Sequence, residues 1–126
     1  MRLILDTVAF IWAASDPERL SRAAMSALRK GTAVREISVV SLTEIAVKQS
    51  RRKLTLSKAH VVAGVDDLRL RVLPYVPEHS WRLFDLPTHH ADPFDRQIIA
   101  QALVENVPVV TPDEAFNLYE GLKVIW

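Results

Sequence analysis

Five short apolar runs alternate with longer helical patterns along this chain. The runs lie at residues 2–5, 37–40, 70–73, 108–110 and 123–126, and they lack the polar alternation of a half-exposed strand. Strands buried on both faces have this character, and they occur in parallel sheets whose crossovers are helices. The sequence therefore predicts an α/β fold with a mainly parallel central sheet and helices on both faces.

Capping signals divide the segments between these strands into helices. Ser21 and Ser57 are each placed to cap a helix, and Asp92 followed by proline is a strong helix start. Ser41 and Glu44 have the spacing of a capping box, which predicts a helix that begins at Ser41. The predicted helices cover 7–14, 21–30, from Ser41 to the basic run at 51–53, from Ser57 to 68, 77–86, 92–103 and 113–119.

Size and composition favour one globular domain that spans residues 1–126. The chain has 126 residues, of which 49% are hydrophobic, and this is enough for a sizeable core. The absence of cysteine excludes disulfides, thiolate zinc sites and cysteine nucleophiles, so we expect a cytoplasmic protein. The formal net charge is only +1, although basic residues dominate the first half and acidic residues the second. This uneven distribution of charge is most simply explained by ordinary solvent-exposed surfaces.

Carboxylates follow the predicted strands at the points where these strands end. Asp6 comes directly after a strand, and Asp113 ends the turn that follows another strand. Glu44 lies one helical turn beyond a third strand, and Asp95 lies in the first turn of a helix. Because ligands of parallel α/β folds bind outside the carboxyl ends of the strands, we expect these four side chains to converge there. Clustered carboxylates repel one another unless a cation neutralises them, and Mg²⁺ or Mn²⁺ prefers such oxygen ligands.

Each of these acids also has a purely structural interpretation. Glu44 can be the reciprocal partner of Ser41 in a capping box, and Asp95 and Asp113 suit helix N-termini. Asp6 is harder to explain in this way, because an acid that closes a buried strand is costly unless it is paired or coordinated. Asp6 therefore carries most weight in the prediction of a metal site.

Four motifs are spread along almost the whole chain. They are Leu5-Asp6-Thr7 with Trp12, Ser41-Leu42-Thr43-Glu44-Ile45, the segment 90–102, and Val110-Thr111-Pro112-Asp113 with Ala115-Phe116. Together they resemble the PIN-domain ribonuclease toxins of the VapC family, and the similarity runs almost from end to end. The most specific motif is the Asp-Pro-Phe-Asp-Arg block at 92–96, and the chain departs from many members of that family at Val8, Pro112 and Glu114.

The resemblance implies a single PIN domain that cleaves RNA with Mg²⁺ or Mn²⁺, is silenced by a cognate antitoxin, and forms a homodimer. It places the family's acids at Asp6, Glu44, Asp95 and Asp113. We expect Asp6 and Asp95 to be the firmest metal ligands, with Glu44 and Asp113 completing the site. A bound ion would lower the pKa of a water and stabilise charge on the leaving oxygen.

Other polar residues are candidates for supporting roles. The hydroxyls of Thr7, Ser41 and Thr111 lie beside the acids and can hold a carboxylate in place, although plain capping or turn roles are commoner. Asp92 is expected to cap a helix, with metal ligation as the lesser alternative. We expect the four histidines to be surface or loop residues, with the pair at 89–90 as a weak alternative metal site. Candidate contacts to RNA phosphates are Lys48, Arg51, Arg52 and Arg96, of which Arg96 is first expected to pair with Asp92.

Two other classes of protein compete with the nuclease interpretation. A receiver domain that accepts a phosphoryl group shares the length and layout, but it needs adjacent acids after the first strand and a late lysine. Here Asp6 is followed by Thr7, and only Lys123 is roughly placed. A catalytically inactive PIN module that acts only through a protein partner is the second alternative, and the retention of four acids disfavours it.

Overall fold

A single five-stranded parallel sheet runs through the computed structural model, which describes all 126 residues. Every neighbouring pair of strands is parallel, in the order β3-β2-β1-β4-β5. The prediction of a mainly parallel α/β sheet is therefore confirmed. The strands are β1 (Arg2–Leu5), β2 (Val34–Ser38), β3 (Arg71–Leu73), β4 (Val109–Val110) and β5 (Val124–Ile125).

Six α-helices and two short 3-10 helices connect the strands. Ser21, Ser57 and Asp92 accept hydrogen bonds from backbone N–H groups at the starts of their helices, as their capping positions predicted. The α-helices are α1 (Thr7–Ser15), α2 (Arg22–Arg29), α3 (Val39–Ser50), α4 (Lys58–Asp67), α5 (Pro77–Phe84) and α6 (Pro93–Glu105), and the 3-10 helices are Pro17–Arg19 and Glu114–Leu118.

The predicted start of α3 is wrong by two residues. The helix begins at Val39 because Ser38 caps it, accepting a hydrogen bond of 3.0 Å from Val40 N. The capping box expected between Ser41 and Glu44 is therefore absent, and both residues lie inside the helix with buried side chains. This earlier start matters for the site, since it turns Ser41 and Glu44 towards α1.

Apolar side chains fill both faces of the sheet. Leu3 and Leu5 of β1 pack in one cluster with residues of α1, α2 and α4, whereas Ile4 packs in a second cluster with residues of α5 and α6. Successive residues of a strand point to opposite faces, so the two clusters lie on opposite sides of the sheet. The prediction of helices on both faces is confirmed.

A buried ionic network spans the second face. Glu36 of β2 is fully buried and accepts hydrogen bonds from Arg2 and Arg71, with shortest distances of 2.7 Å to each. His79 is also buried and its Nε2 lies 3.0 Å from Glu105 Oε2, so the expectation that His79 is a surface or loop residue is wrong. Its place within α5, facing the network, explains its burial. No helix has both the length and the apolar character needed to cross a bilayer.

Candidate active site

Asp6 lies at the carboxyl edge of the sheet, directly after β1 and as the N-cap of α1. Its Oδ1 accepts a hydrogen bond of 2.8 Å from Ala9 N, and its Oδ2 accepts one of 2.5 Å from Thr111 Oγ1. The residue is only 2% exposed. Two fixed donors from two different elements therefore hold this carboxylate in one orientation.

Glu44 lies on α3, and its buried side chain extends to the same edge of the sheet, where it contacts the start of α1. Thr7 donates a hydrogen bond of 2.6 Å to Glu44 Oε1, and Thr7 Oγ1 also lies 2.9 Å from Ser41 Oγ. Lys48 donates to Glu44 Oε2 at 2.5 Å. Both oxygens of Glu44 are thus occupied, and one of its partners is a cation.

Asp113 follows β4 and caps the 3-10 helix at Glu114–Leu118, with Oδ1 accepting from Ala115 N at 2.9 Å. Its own backbone N–H donates to Thr111 Oγ1 at 3.0 Å. Because the Thr111 hydroxyl also donates to Asp6, it connects the two acids that follow the central strands. The structural interpretation of Asp113 as a capping residue holds, and it does not conflict with a role at the site.

Asp95 occupies the first turn of α6, on the loop side of the same edge. Asp92 accepts hydrogen bonds from Phe94 N at 2.9 Å and from Asp95 N at 3.0 Å, so Asp92 has the capping role expected for it. No protein group donates a hydrogen bond to the side chain of Asp95, whose one ion-pair partner is His90, with Nε2 3.5 Å from Oδ2. Asp95 is therefore the least restrained of the four acids.

The electrostatics of the acids link all four side chains. Burial raises the pKa of Asp6 to about 6, partly offset by the hydrogen bonds from Thr111 and Ala9, and the charges of Asp113 and Glu44 raise the pKa further. The pKa of Asp95 rises to about 7, first through burial and then through the charges of Asp92, Asp6, Glu44 and Asp113. The predicted acids therefore lie within one another's electrostatic field.

The donor chemistry of this acidic cluster (Asp6, Glu44, Asp95 and Asp113) fits a hard divalent cation. The four carboxylates lie within one another's electrostatic field, and burial, followed by the charges of neighbouring acids, raises the pKa of Asp6 and of Asp95. Carboxylate oxygens are the ligands that such a cation prefers. In the side-chain conformations of the structure, however, no three acidic or histidine residues form a group that could hold a metal ion. The cluster therefore suits a divalent cation by the chemistry and charge of its side chains, and not by their present geometry.

Arg96 does not pair with Asp92, contrary to the expectation from sequence. Its guanidinium donates to the carbonyl oxygens of Leu86 at 3.2 Å and Pro87 at 2.8 Å, and to Tyr119 Oη at 3.2 Å. The segment before α6 supplies these carbonyls, which satisfy the guanidinium that sequence reasoning assigned to Asp92. Arg96 is thus a bound structural cation, which leaves it poorly suited to contact RNA.

The basic residues near the end of α3 lie at different distances from the acidic cluster. Lys48 is beside the acidic cluster through its bond to Glu44, whereas Arg51 and Arg52 are exposed beyond the last turn. Twelve residues of α-helix extend about 18 Å, so Arg51 lies far along the helix from the edge where Ser38 caps it. Sequence reasoning missed the Lys48–Glu44 pair, although its i,i+4 spacing is a recognisable signal.

The receiver-domain alternative conflicts with the topology. In receiver folds the first strand lies between the second and the third, whereas here β1 lies between β2 and β4. Lys123 precedes β5 and so stands at the amino end of a parallel strand, opposite the edge that carries Asp6. The lysine that a phosphoryl-accepting site needs is therefore on the wrong side.

The structure thus combines a parallel α/β sheet with carboxylates from separate segments at its carboxyl edge. The PIN domain model matches residues 3–122, so the chain belongs to the PIN domain family. No protein of curated function matches the sequence.

Solved structures of toxin-antitoxin proteins share the fold. VapBC2 from Rickettsia felis, solved with a DNA fragment from its promoter, superposes with a TM-score of 0.75 at 20% identity, covering 98% of this chain and 97% of that one. DNA-bound VapBC from Salmonella typhimurium gives 0.73 at 19% identity, with 98% and 96% covered. VapBC-5 from Mycobacterium tuberculosis, a member of the VapBC family of toxin-antitoxin systems, gives 0.67 at 19%, with 98% and 97% covered. At these identities the likeness establishes the fold.

Proposed function

We propose that this protein is a metal-dependent endoribonuclease that hydrolyses RNA phosphodiester bonds with Mg²⁺ or Mn²⁺. The observation that carries the proposal is the convergence of four carboxylates from four separate segments at one edge of the sheet. Burial, and then repulsion from the neighbouring acids, raises the pKa of Asp6 and of Asp95, and a divalent cation would relieve this cost. Membership of the PIN domain family supports the same activity.

Asp6 and Asp95 are the residues that would hold the ion. A divalent cation supplies Lewis acidity and lowers the pKa of a bound water towards neutrality. Asp6 brings a carboxylate already oriented by Thr111 and Ala9, so little reorganisation is needed there. Asp95 brings a carboxylate free of hydrogen bonds from the protein, with its full acceptor capacity available.

Glu44 and Asp113 complete the negative field around these two ligands. Lys48 compensates the charge of Glu44 while its side chain remains 43% exposed, and this cation would be available to a backbone phosphate of RNA. Asp113 adds charge beside Asp6, and its N–H holds the Thr111 hydroxyl that orients Asp6. These residues position the ligands and the substrate.

We further propose that the nuclease is the toxin of a toxin-antitoxin pair in the cytoplasm, bound by a cognate antitoxin protein. The similarity of the fold to VapBC structures supports this partner. A homodimer is also proposed, because Trp81 and Phe84 of α5 stack at 6.1 Å while 64% and 81% exposed, an apolar pair that a second copy would cover. Light scattering of the protein and of its Trp81→Glu variant tests the dimer, and a monomeric parent would contradict it.

Cleavage of RNA in vitro tests the proposed function. We expect single-stranded RNA to be cut with Mn²⁺ or Mg²⁺ and not with EDTA, and we expect Asp6→Asn and Asp95→Asn to abolish cutting while remaining folded. Asp67→Asn, at an exposed position of α4, is the matched control and should cut normally. Cleavage by the folded Asp6→Asn variant would refute the site, and no cleavage by the parent protein would favour the inactive PIN module.

A further inference from the structure

A chain of polar contacts leads from the start of α6 to Asp95, and the proposed function does not yet use it. Arg96 is anchored by the carbonyls of Leu86 and Pro87, and it also donates to Tyr119 Oη. Tyr119 Oη lies 2.7 Å from His90 Nδ1. His90 Nε2 in turn lies 3.5 Å from Oδ2 of Asp95. The four side chains thus form one continuous series of contacts that runs from Arg96 through Tyr119 and His90 to Asp95.

Two contacts of His90 favour one arrangement of its protons. A guanidinium has donors and no acceptor, so Tyr119 Oη accepts from Arg96, and its phenolic proton is free to be donated to Nδ1 of His90. The opposite tautomer, with Nδ1–H donating to Tyr119, would leave the lone pair of Nε2 buried against the carboxylate oxygens of Asp95. We therefore assign the proton of the neutral imidazole to Nε2, the nitrogen that faces Asp95.

Nε2 of His90 is a buried donor that has nothing else to bond to. It is shielded from solvent and makes no hydrogen bond, because 3.5 Å to Asp95 is longer than a normal one. The His90 ring packs edge-on against Tyr119 at 5.6 Å between ring centroids, and the His89 ring also packs edge-on against Tyr119, at 4.8 Å. A buried donor without a partner is unusual in a folded protein, and the carboxylate of Asp95 is the acceptor within reach.

We propose that His90 is a positioning residue for Asp95, aimed by the Arg96–Tyr119 pair, so that its Nε2–H orients the Asp95 carboxylate for a divalent cation. Asp6 and Asp113 have their own hydrogen bonds from hydroxyl or backbone donors, whereas Asp95 has none. Ligating carboxylates generally depend on such partners. The metal part of this inference rests on the proposed function, and the assignment of the proton does not.

Nitrogen NMR of the imidazoles in the metal-free protein, in EDTA near pH 8, tests the proton assignment. We expect His90 in the Nε2–H form, and we expect Tyr119→Phe to weaken this preference because it removes the donor to Nδ1. His60, exposed on α4 with Nδ1 2.7 Å from Ser57 Oγ, makes no contact with these residues and should be unchanged in Tyr119→Phe. A His90 ring protonated on Nδ1 in the parent protein would overturn the proposed chain, whatever the activity of the protein.

Calorimetric titration with Mn²⁺ alone tests the positioning role. We expect His90→Ala to weaken Mn²⁺ binding by about 10- to 100-fold. His90→Gln, whose amide N–H can replace Nε2–H, should recover part of the loss, and His60→Ala should bind as the parent does. Tyr119→Phe keeps the buried ring and should weaken binding less; it carries the test if His90→Ala does not fold. Unchanged Mn²⁺ affinity in the folded variants would overturn the proposal, whereas a parent that binds no Mn²⁺ would refute the proposed function itself.

Discussion

Replacing Asp6 with asparagine should stabilise the metal-free protein at neutral and alkaline pH. Burial raises the pKa of Asp6 from 3.8 to about 6 in the folded state, so ionised Asp6 costs the fold about 3 kcal/mol. Asparagine does not ionise, caps helices about as well as aspartate, and still offers an oxygen to Ala9 N. Thr111 can accept from the new amide, since a hydroxyl has two lone pairs.

The stability that Asp6→Asn adds should depend on pH, because the cost of Asp6 arises only when its carboxylate is ionised. Above about pH 6 the carboxylate is ionised in both states, and the folded state carries the full cost. Below pH 3.8 it is protonated in both states and the cost is absent. Asp6→Asn should therefore exceed the parent by about 2–3 kcal/mol near pH 8, and the difference should shrink towards zero as the pH falls to about 4.

Urea unfolding in EDTA at several pH values measures this difference directly. The comparison of variant with parent isolates Asp6 from other titrating groups, and Asp67→Asn should stay within about 0.5 kcal/mol of the parent throughout. An Asp6→Asn protein that is less stable than the parent near pH 8, by an amount independent of pH, would refute the electrostatic reasoning.

Three further outcomes follow from other contacts. Glu36→Gln should lower the free energy of unfolding by roughly 2–3 kcal/mol in urea, because it removes the buried charge that Arg2 and Arg71 share. Thr111→Val should raise the pKa of Asp6 further, since the Thr111 hydrogen bond lowers it, and should move the acid limb of the RNA cleavage rate to higher pH. Mn²⁺ at about 100 times its dissociation constant should stabilise the parent by about 2.7 kcal/mol in thermal unfolding and should leave Asp6→Asn unaffected.

The fold was predictable because its signals are local. Uninterrupted apolar strands indicated a parallel sheet, and Ser21, Ser57 and Asp92 marked helix starts that the structure confirms. The start of α3 was missed because Ser38 and Ser41 are both good caps. In the structure Ile37 of β2 and Val40 of α3 are buried in the two opposite clusters, and such packing is a tertiary effect that the local sequence does not signal.

The site was predictable in part for a similar reason. Acids that follow the strands of a parallel sheet lie at the same edge of that sheet, so the sequence alone predicted that Asp6 and Asp113 lie close together. The partners of Arg96 could not, because its carbonyl acceptors and Tyr119 lie in segments whose approach depends on how α6 packs. The Tyr119–His90 contact joins residues 29 apart and leaves no spacing signal in the sequence.

A crystal of the protein soaked with Mn²⁺ provides the decisive test of the metal site, since anomalous scattering locates the ion without any assumption about activity. We expect one or two peaks within about 2.2 Å of carboxylate oxygens of Asp6 and Asp95. A peak held by other residues, or no peak at a Mn²⁺ concentration that supports RNA cleavage, would contradict the proposed site.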